Sequence, residues 1–354
     1  MTRSFSSIIG AALALFASGT AFAQDLTTVT IAHGSNQIEI THPGIYLPNA
    51  LGWAKEEGID LQVQTTAGSQ QALQLLAGGR ADFVTVNPET IINGRDQGAP
   101  AIIVYSMVNQ YSAQIATLAD GPIKSVTDMK GTQVGVFSLQ SGGVPYLKAV
   151  LRENGLNPDT DVTFVATGAG APALQALNSG TVSALSLWAG AFAVYMNQGA
   201  KLQIFKSEAL AKAPAYVLAT TEEYLAKNPE IVKKVGKMVA KSAVFAMQNP
   251  SAAVEAYWVA VPQNKPAAVT DKDRSDAQTV LKVGLGGMTV DERADKRWGW
   301  NDPVGFNTLQ KYLIDNGVRQ TMVPEEQIFT NAHIDAFNDF DAAAVKAQAD
   351  AYKP

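Results

Sequence analysis

The chain has 354 residues, a formal net charge of −5 and no cysteine. Hydrophobic residues make up 47% of it and charged residues 17%, so a large core can form and disorder is disfavoured. The acidic balance provides no basic field for a nucleic acid or an anionic membrane, which argues against both as partners. The length indicates two domains of ordinary size.

The N-terminal segment MTRSFSSIIGAALALFASGTAFAQD has the pattern of a secretory signal peptide. Arg3 precedes an apolar run from Ile8 to Phe16, and Ala21-Phe22-Ala23 is a small-residue cleavage pattern. The apolar run is shorter than the ~20 residues that a membrane span needs. We therefore expect cleavage after Ala23 and export to a bacterial periplasm, with no disulfide and no lipid-modified cysteine.

From residue 28 onward, short β-branched runs alternate with helical patterns, which is typical of βαβ units in a mainly parallel sheet. Gly58, which follows the first helical pattern, is a typical helix stop. The predicted strands are 28–32, 59–66, 81–87 and 101–107, and the predicted helices lie within 42–58, 70–79 and 88–98.

The same order then restarts, with predicted strands at 132–137, 161–166 and 183–188 and helices within 145–154 and 171–180. The segments TTAGSQQALQLLAGG and ATGAGAPALQALNSG align without gaps, and in the same register Gln97-Gly98-Ala99 meets Gln198-Gly199-Ala200. One register over both blocks predicts two lobes of the same supersecondary order. Beyond TTEEYL the pattern is mainly helical: a lysine-bearing amphipathic helix begins at Pro229, residues 261–273 form a polar connector, and another helix lies within 302–317.

Ligands of open α/β sheets bind beyond the carboxyl ends of the strands, so the loops at those ends are the candidate site. Within VFSLQSGGVPY, Ser141, Gly142 and Gly143 precede a predicted helix. They either offer backbone N–H groups to an anionic or polar ligand, or serve only the cap and the turn. The candidate ligand contacts are His33, Ser35, Asn36, His42, Tyr46, Ser69, Asn87, Glu89, Ser138, Gln140, Ser141, Gly142, Gly143 and Trp188.

Catalytic and cofactor motifs are missing from the sequence. There is no G-x-S-x-G elbow, no Gly-Lys-Ser/Thr of a phosphate-binding loop, and the clusters at Gly168 and Gly284 are isolated. His33 and His42 share a loop region and could hold a metal. Because no cysteine or HxxxH pair accompanies them, we favour hydrogen bonding for both and expect no metal, no cofactor and no catalytic residue.

Several segments together resemble the substrate-binding proteins of ABC importers for alkanesulfonates, taurine, nitrate and thiamine pyrimidine precursors. These segments are YLPNALGWAKEEGIDLQV, ALQLLAGGRADFV, DMKGTQVGVFSLQSGG, YLAKNPEIVKKV and FTNAHIDAF, and they extend from about Thr28 to Phe340. THPGIY is similar to a histidine-glycine-tyrosine stretch of the pyrimidine-precursor branch, which would make His42 and Tyr46 ligand contacts. A cytosolic enzyme of that branch depends on a cysteine-rich motif that this chain lacks.

The resemblance implies an α/β clamshell of two doubly wound lobes joined by two hinge strands, SAQIATL and AYVLAT. The first lobe would comprise residues 25–109 and 216–354, and the second residues 110–215. In this family the loop after the first strand, the Ser69 turn, Asn87, the turn from Ser138 to Gly143 and Trp188 fall at ligand contacts. No arginine stands at an obvious strand end, which disfavours a strongly anionic ligand unless helix N-termini hold it.

We therefore expect a monomeric periplasmic protein that captures a small polar or aromatic solute and delivers it to an ABC permease. Sulfonate, nitrate, pyrimidine-precursor, riboflavin-like and aromatic carboxylate ligands remain open, and the candidate aromatic residues favour nitrate least. The alternative from another class is a secreted enzyme on the same scaffold.

Overall fold

The computed structural model describes residues 26–288, 290 and 295–353. The predicted signal peptide lies outside the described residues. The strands in chain order are β1 Thr27–His33, β2 Ile59–Thr65, β3 Phe83–Val86, β4 Ala101–Val108, β5 Ala113–Leu118, β6 Thr132–Val136, β7 Val162–Ala166, β8 Ala184–Trp188, β9 Leu202–Phe205 and β10 Tyr216–Thr221.

The helices cover the faces of these strands and form the C-terminal third of the chain. In chain order they are α1 Pro43–Ala50, α2 Trp53–Glu56, α3 Ser69–Ala77, α4 Pro88–Asp96, α5 Val144–Glu153, α6 Ala171–Asn178, α7 Ala189–Asn197, α8 Glu222–Lys227, α9 Pro229–Gln248, α10 Pro250–Ala260, α11 Asp271–Gly286, α12 Pro303–Asp315, α13 Glu325–Ile328, α14 Ile334–Asn338 and α15 Ala342–Ala351.

The strands form two five-stranded mixed sheets of the same order, β2-β1-β3-β10-β4 and β7-β6-β8-β5-β9. In the first sheet β1 pairs in parallel with β2 and β3, while β10 is antiparallel to β3 and β4. In the second sheet β6 is parallel to β7 and β8, and β5 is antiparallel to β8 and β9. The predicted repeat of supersecondary order and the two-sheet α/β class are therefore confirmed.

The chain passes between the sheets twice. It leaves the first sheet after β4 and returns to it at β10, so residues 109–112 and 206–215 are the two crossing segments. SAQIATL and AYVLAT provide β5 and β10, and each is the antiparallel strand of the sheet that the chain has just entered. In each sheet, the strand ends that face the other sheet therefore lie beside the two crossing segments.

The helix predicted within residues 42–58 is interrupted. Gly52 has a φ of 78°, in the left-handed region, and it separates α1 from α2. A right-handed helix cannot continue through this conformation, which glycine adopts without steric cost. Tyr46, Leu47 and Ala54 are nevertheless buried, so both short helices turn their apolar side to the core.

Helix α11 was missed by the sequence prediction, which assigned its first residues to the connector and its last ones to an isolated glycine cluster. Thr270 caps it, because its side chain accepts a hydrogen bond from the Asp273 N–H while Asp273 bonds back to the Thr270 backbone. The helix packs against α7 and α10. Its glycine-rich C-terminal end thereby reaches the space between the sheets.

Candidate functional site

A cavity of about 470 Å³ lies between the two sheets, where the strand-end loops of both meet the crossing segments. The first sheet contributes the loop after β1 and Asn87 after β3. The second contributes Phe137 and Ser141 after β6, and Trp188 at the end of β8. Both crossing segments and the end of α11 close the remaining sides. The position is the one that sheet topology predicts for a ligand, and the volume is within the usual range for small-molecule sites.

Three pairs of rings form the apolar part of the cavity wall. Trp188 meets Phe137 edge-on at 5.7 Å between centroids, Tyr111 lies 4.9 Å from Tyr146, and His42 stacks on Tyr216 at 4.5 Å with an interplanar angle of 18°. All six side chains line the cavity. Rings that hold one another in place present preorganised flat surfaces to a ligand.

The polar end of the cavity is built around Glu39. Its Oε1 accepts a hydrogen bond of 2.6 Å from Ser35 Oγ, and its Oε2 lies 3.0 Å from His33 Nε2. Behind them, His33 Nδ1 lies 2.8 Å from Thr85 Oγ1 and 3.2 Å from the Tyr216 hydroxyl. The side chains of the loop after β1 are thus fixed by β3 and by the first residue of β10.

Burial alone would raise the pKa of Glu39, but the hydrogen bond from His33 and the nearby His42 outweigh it and hold the pKa well below its ordinary value. His42 Nδ1 lies 3.4 Å from Glu39 Oε2, yet it is buried and makes no hydrogen bond among the described residues. His33, Glu39 and His42 each place one potential ligand atom within 4.8 Å of the others. Within the described part of the chain, these three side chains together could hold a metal ion.

A second buried acid lies next to the cavity wall. Glu89, in the first turn of α4, is 0% exposed and accepts a hydrogen bond from the hydroxyl of Tyr111, which belongs to the first crossing segment. Burial raises the pKa of Glu89 to about 7, although the Tyr111 hydroxyl and the backbone N–H of Glu89 lower it. This bond ties the crossing segment to the first sheet.

Direct contacts join the two sides of the cleft beside the cavity. Ser138 Oγ donates to the Ala67 carbonyl at 2.8 Å, and the Gln70 N–H donates to the Gln140 carbonyl at 3.3 Å. A Cβ at Gly142 would lie 2.6 Å from Asn87 Oδ1. The turn that begins at Ser138 therefore packs against the first sheet's loops, and only glycine fits at position 142 without displacing Asn87.

The charged rim of the cavity is basic. Lys206, Lys212 and Lys282 line it, Lys206 is paired with Glu208 at 3.1 Å, and Lys212 and Lys282 make no ion pair with the residues that the structure describes. No arginine belongs to the described lining. Exposed lysines at the entrance favour solutes that carry a negative or strongly polar substituent.

The structure brings five of the predicted site residues together on the cavity wall: Ser35, His42, Asn87, Ser141 and Trp188. His33, Ser69 and Glu89 are buried directly behind that wall. Asn36 is exposed, and Tyr46 lies in the core against Tyr257. Ser138, Gln140 and Gly142 contact the loops of the first sheet. Gly143 is the N-cap residue before α5, and its N–H donates to Ser141 Oγ at 3.2 Å.

Several lining residues were not selected from the sequence. Glu39 lies within the loop after β1 but was not singled out. Tyr111 lies in the first crossing segment, and Tyr216 directly follows the second. Phe137 directly precedes the selected turn. The two tyrosines could have been identified as aromatic residues in or next to a crossing segment, because both crossing segments border the cleft.

Known proteins share this architecture. The riboflavin-binding protein RibY of Chloroflexus aurantiacus is 21% identical over 292 residues, covering 82% of this chain and 81% of that protein. A solved structure from Bordetella bronchiseptica RB50 matches with a TM-score of 0.74 and 21% identity, covering 88% of this chain and 97% of its own.

The periplasmic aliphatic sulphonate-binding protein SsuA of Escherichia coli matches with a TM-score of 0.61 and 18% identity, over 85% of this chain and 96% of that one. These likenesses show the two-lobed fold of periplasmic binding proteins. Among the described residues, no helix has the length and apolar character needed to cross a membrane. The NMT1/THI5-like family model matches residues 39–253, more than half of the sequence, and the chain therefore belongs to that family.

Proposed function

We propose that this protein is the periplasmic solute-binding component of an ABC importer, and that its solute is a small aromatic or heteroaromatic molecule with polar or anionic substituents. The observation that carries the proposal is the cavity between the two sheets, walled by three ring pairs from both sides and from the crossing segments. The predicted signal peptide supports export.

The composition of the wall favours an aromatic solute over a small inorganic anion. Trp188 and Tyr111 present ring surfaces, Asn87 and Ser141 offer hydrogen bonds, and the lysines stand at the rim. RibY is named as a riboflavin-binding protein and SsuA as a sulphonate-binding protein, so related folds bind both flat and anionic ligands. We assign ring stacking to Trp188 and Tyr111, and hydrogen bonding to Ser35, His42, Asn87 and Ser141.

We propose residues 25–109 with 216–354 as one lobe and residues 110–215 as the other, closing on the solute about the two crossing segments. The hydrogen bonds from Ser138 to Ala67 and from Gln70 to Gln140 would belong to the closed form. A solute that contacts both lobes binds this form better, and its differential affinity drives closure. The closed protein would then dock on the permease and release the solute unchanged.

The test is a thermal-shift screen of the purified chain beginning at Gln24 against riboflavin, aminopyrimidines, benzoate derivatives and alkanesulfonates. We expect stabilisation by one aromatic class, a smaller radius of gyration in solution scattering, and recovery of that ligand unchanged by mass spectrometry. Trp188→Ala should lose the stabilisation, while Trp298→Phe, outside the cavity lining, should keep it. Conversion of the ligand, or stabilisation by alkanesulfonates alone, would overturn the proposal.

A further inference from the structure

We infer that His33, Glu39 and His42 form a site for one divalent metal ion of the zinc type at the polar end of the cavity. Two imidazoles and one carboxylate are an established donor set for zinc with an open coordination position. Each of the three side chains offers one donor atom, and all three atoms lie within 4.8 Å of one another. The proposal concerns metal binding and is tested in the absence of any solute.

The distances between the donor atoms are close to those of a tetrahedral site. Zinc bonds of about 2.0–2.1 Å place neighbouring ligand atoms about 3.3 Å apart. His33 Nε2 lies 3.0 Å from Glu39 Oε2, and His42 Nδ1 lies 3.4 Å from the same oxygen. Two edges of the tetrahedral face are thus present, and the third, between the two imidazole nitrogens, is at most 4.8 Å.

Neighbouring groups already orient two of the three ligands. His33 is 0% exposed and its second nitrogen, Nδ1, lies 2.8 Å from Thr85 Oγ1, the outer contact that fixes a metal-binding imidazole. Ser35 Oγ holds Glu39 Oε1 at 2.6 Å, which leaves Oε2 facing the histidines. A metal ion would bind the tautomer of neutral His33 in which Nε2 offers its lone pair and Nδ1 keeps its proton toward Thr85 Oγ1, so a second ring proton would be released to solvent.

His42 provides an independent indication that a ligand is expected here. Its Nδ1 is buried, lies 3.4 Å from Glu39 Oε2 and makes no hydrogen bond among the described residues, while its ring is held by stacking on Tyr216 at 4.5 Å. A buried polar atom that makes no hydrogen bond destabilises the fold unless something binds it. A metal ion bound by this nitrogen would have its fourth position on the side of the cavity, which Glu39 and His42 both line.

The experiment titrates tag-free chain beginning at Gln24, stripped with EDTA and dialysed, with ZnCl₂ in a calorimeter. We expect one zinc ion per chain, no comparable binding of Mg²⁺, and visible tetrahedral absorption when Co²⁺ replaces zinc. Outer contacts are worth about 10- to 100-fold in metal affinity, so Thr85→Val should weaken binding by about 10-fold and Glu39→Gln or His42→Ala by more than about 100-fold. His333→Ala, a histidine outside the cluster, is the matched control and should bind as wild type.

Circular dichroism in EDTA establishes that each variant is folded. Of these substitutions, His42→Ala, at the cavity edge, should disturb the packing of the core least. Wild-type affinity in both Glu39→Gln and His42→Ala, or a stoichiometry well below one, would identify an adventitious ion only and overturn the proposal. Because the titration contains no solute, failure here is distinguishable from failure of the proposed transport function.

Discussion

The buried carboxyl of Glu89 makes the stability of this protein depend on pH in a predictable direction. Its pKa is about 7 in the folded protein against an ordinary value of 4.5. Between these values the folded state holds a proton that the unfolded state has lost, so the free energy of unfolding falls as pH rises. The two pKa values differ by about 2.5, and each unit corresponds to about 1.36 kcal/mol. The free energy of unfolding should therefore fall by about 3 kcal/mol as pH rises through both values.

Glu89→Gln should remove this loss, because glutamine is neutral at every pH and has nearly the same volume. Relative to wild type, the variant should gain about 3 kcal/mol in the free energy of unfolding between pH 4.5 and 8. Urea denaturation at fixed ionic strength measures the difference, with Glu326→Gln, an exposed acid, as the matched control. Two tyrosines interact electrostatically with Glu89. Burial raises the pKa of Tyr146 to about 12 and that of Tyr111 well above its ordinary value, so neither hydroxyl titrates between pH 4.5 and 8.

Tyr111→Phe adds a second check on the same group. Its hydroxyl donates the hydrogen bond that lowers the pKa of Glu89, so the phenylalanine variant should move the pH-dependent loss of stability to higher pH. Parallel stability profiles for wild type and Glu89→Gln from pH 4.5 to 8 would refute the reasoning, because they would mean that the carboxyl titrates alike in both states.

Three further substitutions test the cleft and the core. Trp188→Ala should weaken solute binding by at least about 10-fold in calorimetry, since aromatic stacking and burial are both lost; unchanged affinity would show that the solute binds elsewhere. Gly142→Val should reduce both solute affinity and the ligand-induced compaction seen in scattering, because its Cβ would lie 2.6 Å from Asn87 Oδ1. Gly143→Ala, whose Cβ would meet only a hydroxyl at 3.7 Å, should retain both. If the two variants bind and compact alike, closure does not depend on this contact. Gly236→Ala should lower the free energy of unfolding by about 1–3 kcal/mol in urea, because its Cβ would lie 2.3 Å from a phenyl ring of α14; wild-type stability would show that the ring moves freely.

Much of the fold follows from local patterns. Periodic apolar residues predict β1 to β4, β6 to β8, α1 to α6, α9 and α12, while β5 and β10 were expected only from the family resemblance and β9 was not predicted. The register between the two alignable segments predicts two sheets of one order, as the strand order shows. Two of the differences have local causes. Gly52 interrupts a continuous apolar face by its left-handed φ of 78°, and α11 was hidden because its polar sequence is stabilised by the Thr270 cap and by packing on α7.

The candidate site was predicted at the level of loops rather than side chains. The strand-end rule locates a loop, but successive residues of a turn point in different directions, and only the packed structure selects among them. Tyr46 was chosen and lies in the core, whereas Tyr216, absent from the prediction, stacks on His42 at the cavity. The hydrogen-bonded cluster of His33 and Glu39 with Thr85 joins residues up to 52 positions apart, which no local pattern encodes.

The sequence by itself therefore determined the α/β class, the repeated order of elements and the loops at the strand ends, because each depends on the character of neighbouring residues. The tertiary structure alone decided which side chains face one another across the cleft. Pairing β10 between β3 and β4 places Tyr216 beside His33, and packing of the Ser138 turn against the first sheet turns Gly142 toward Asn87. The same long-range packing buries Glu89 and brings His42 Nδ1 to 3.4 Å from Glu39 Oε2, because burial and proximity are properties of the whole fold.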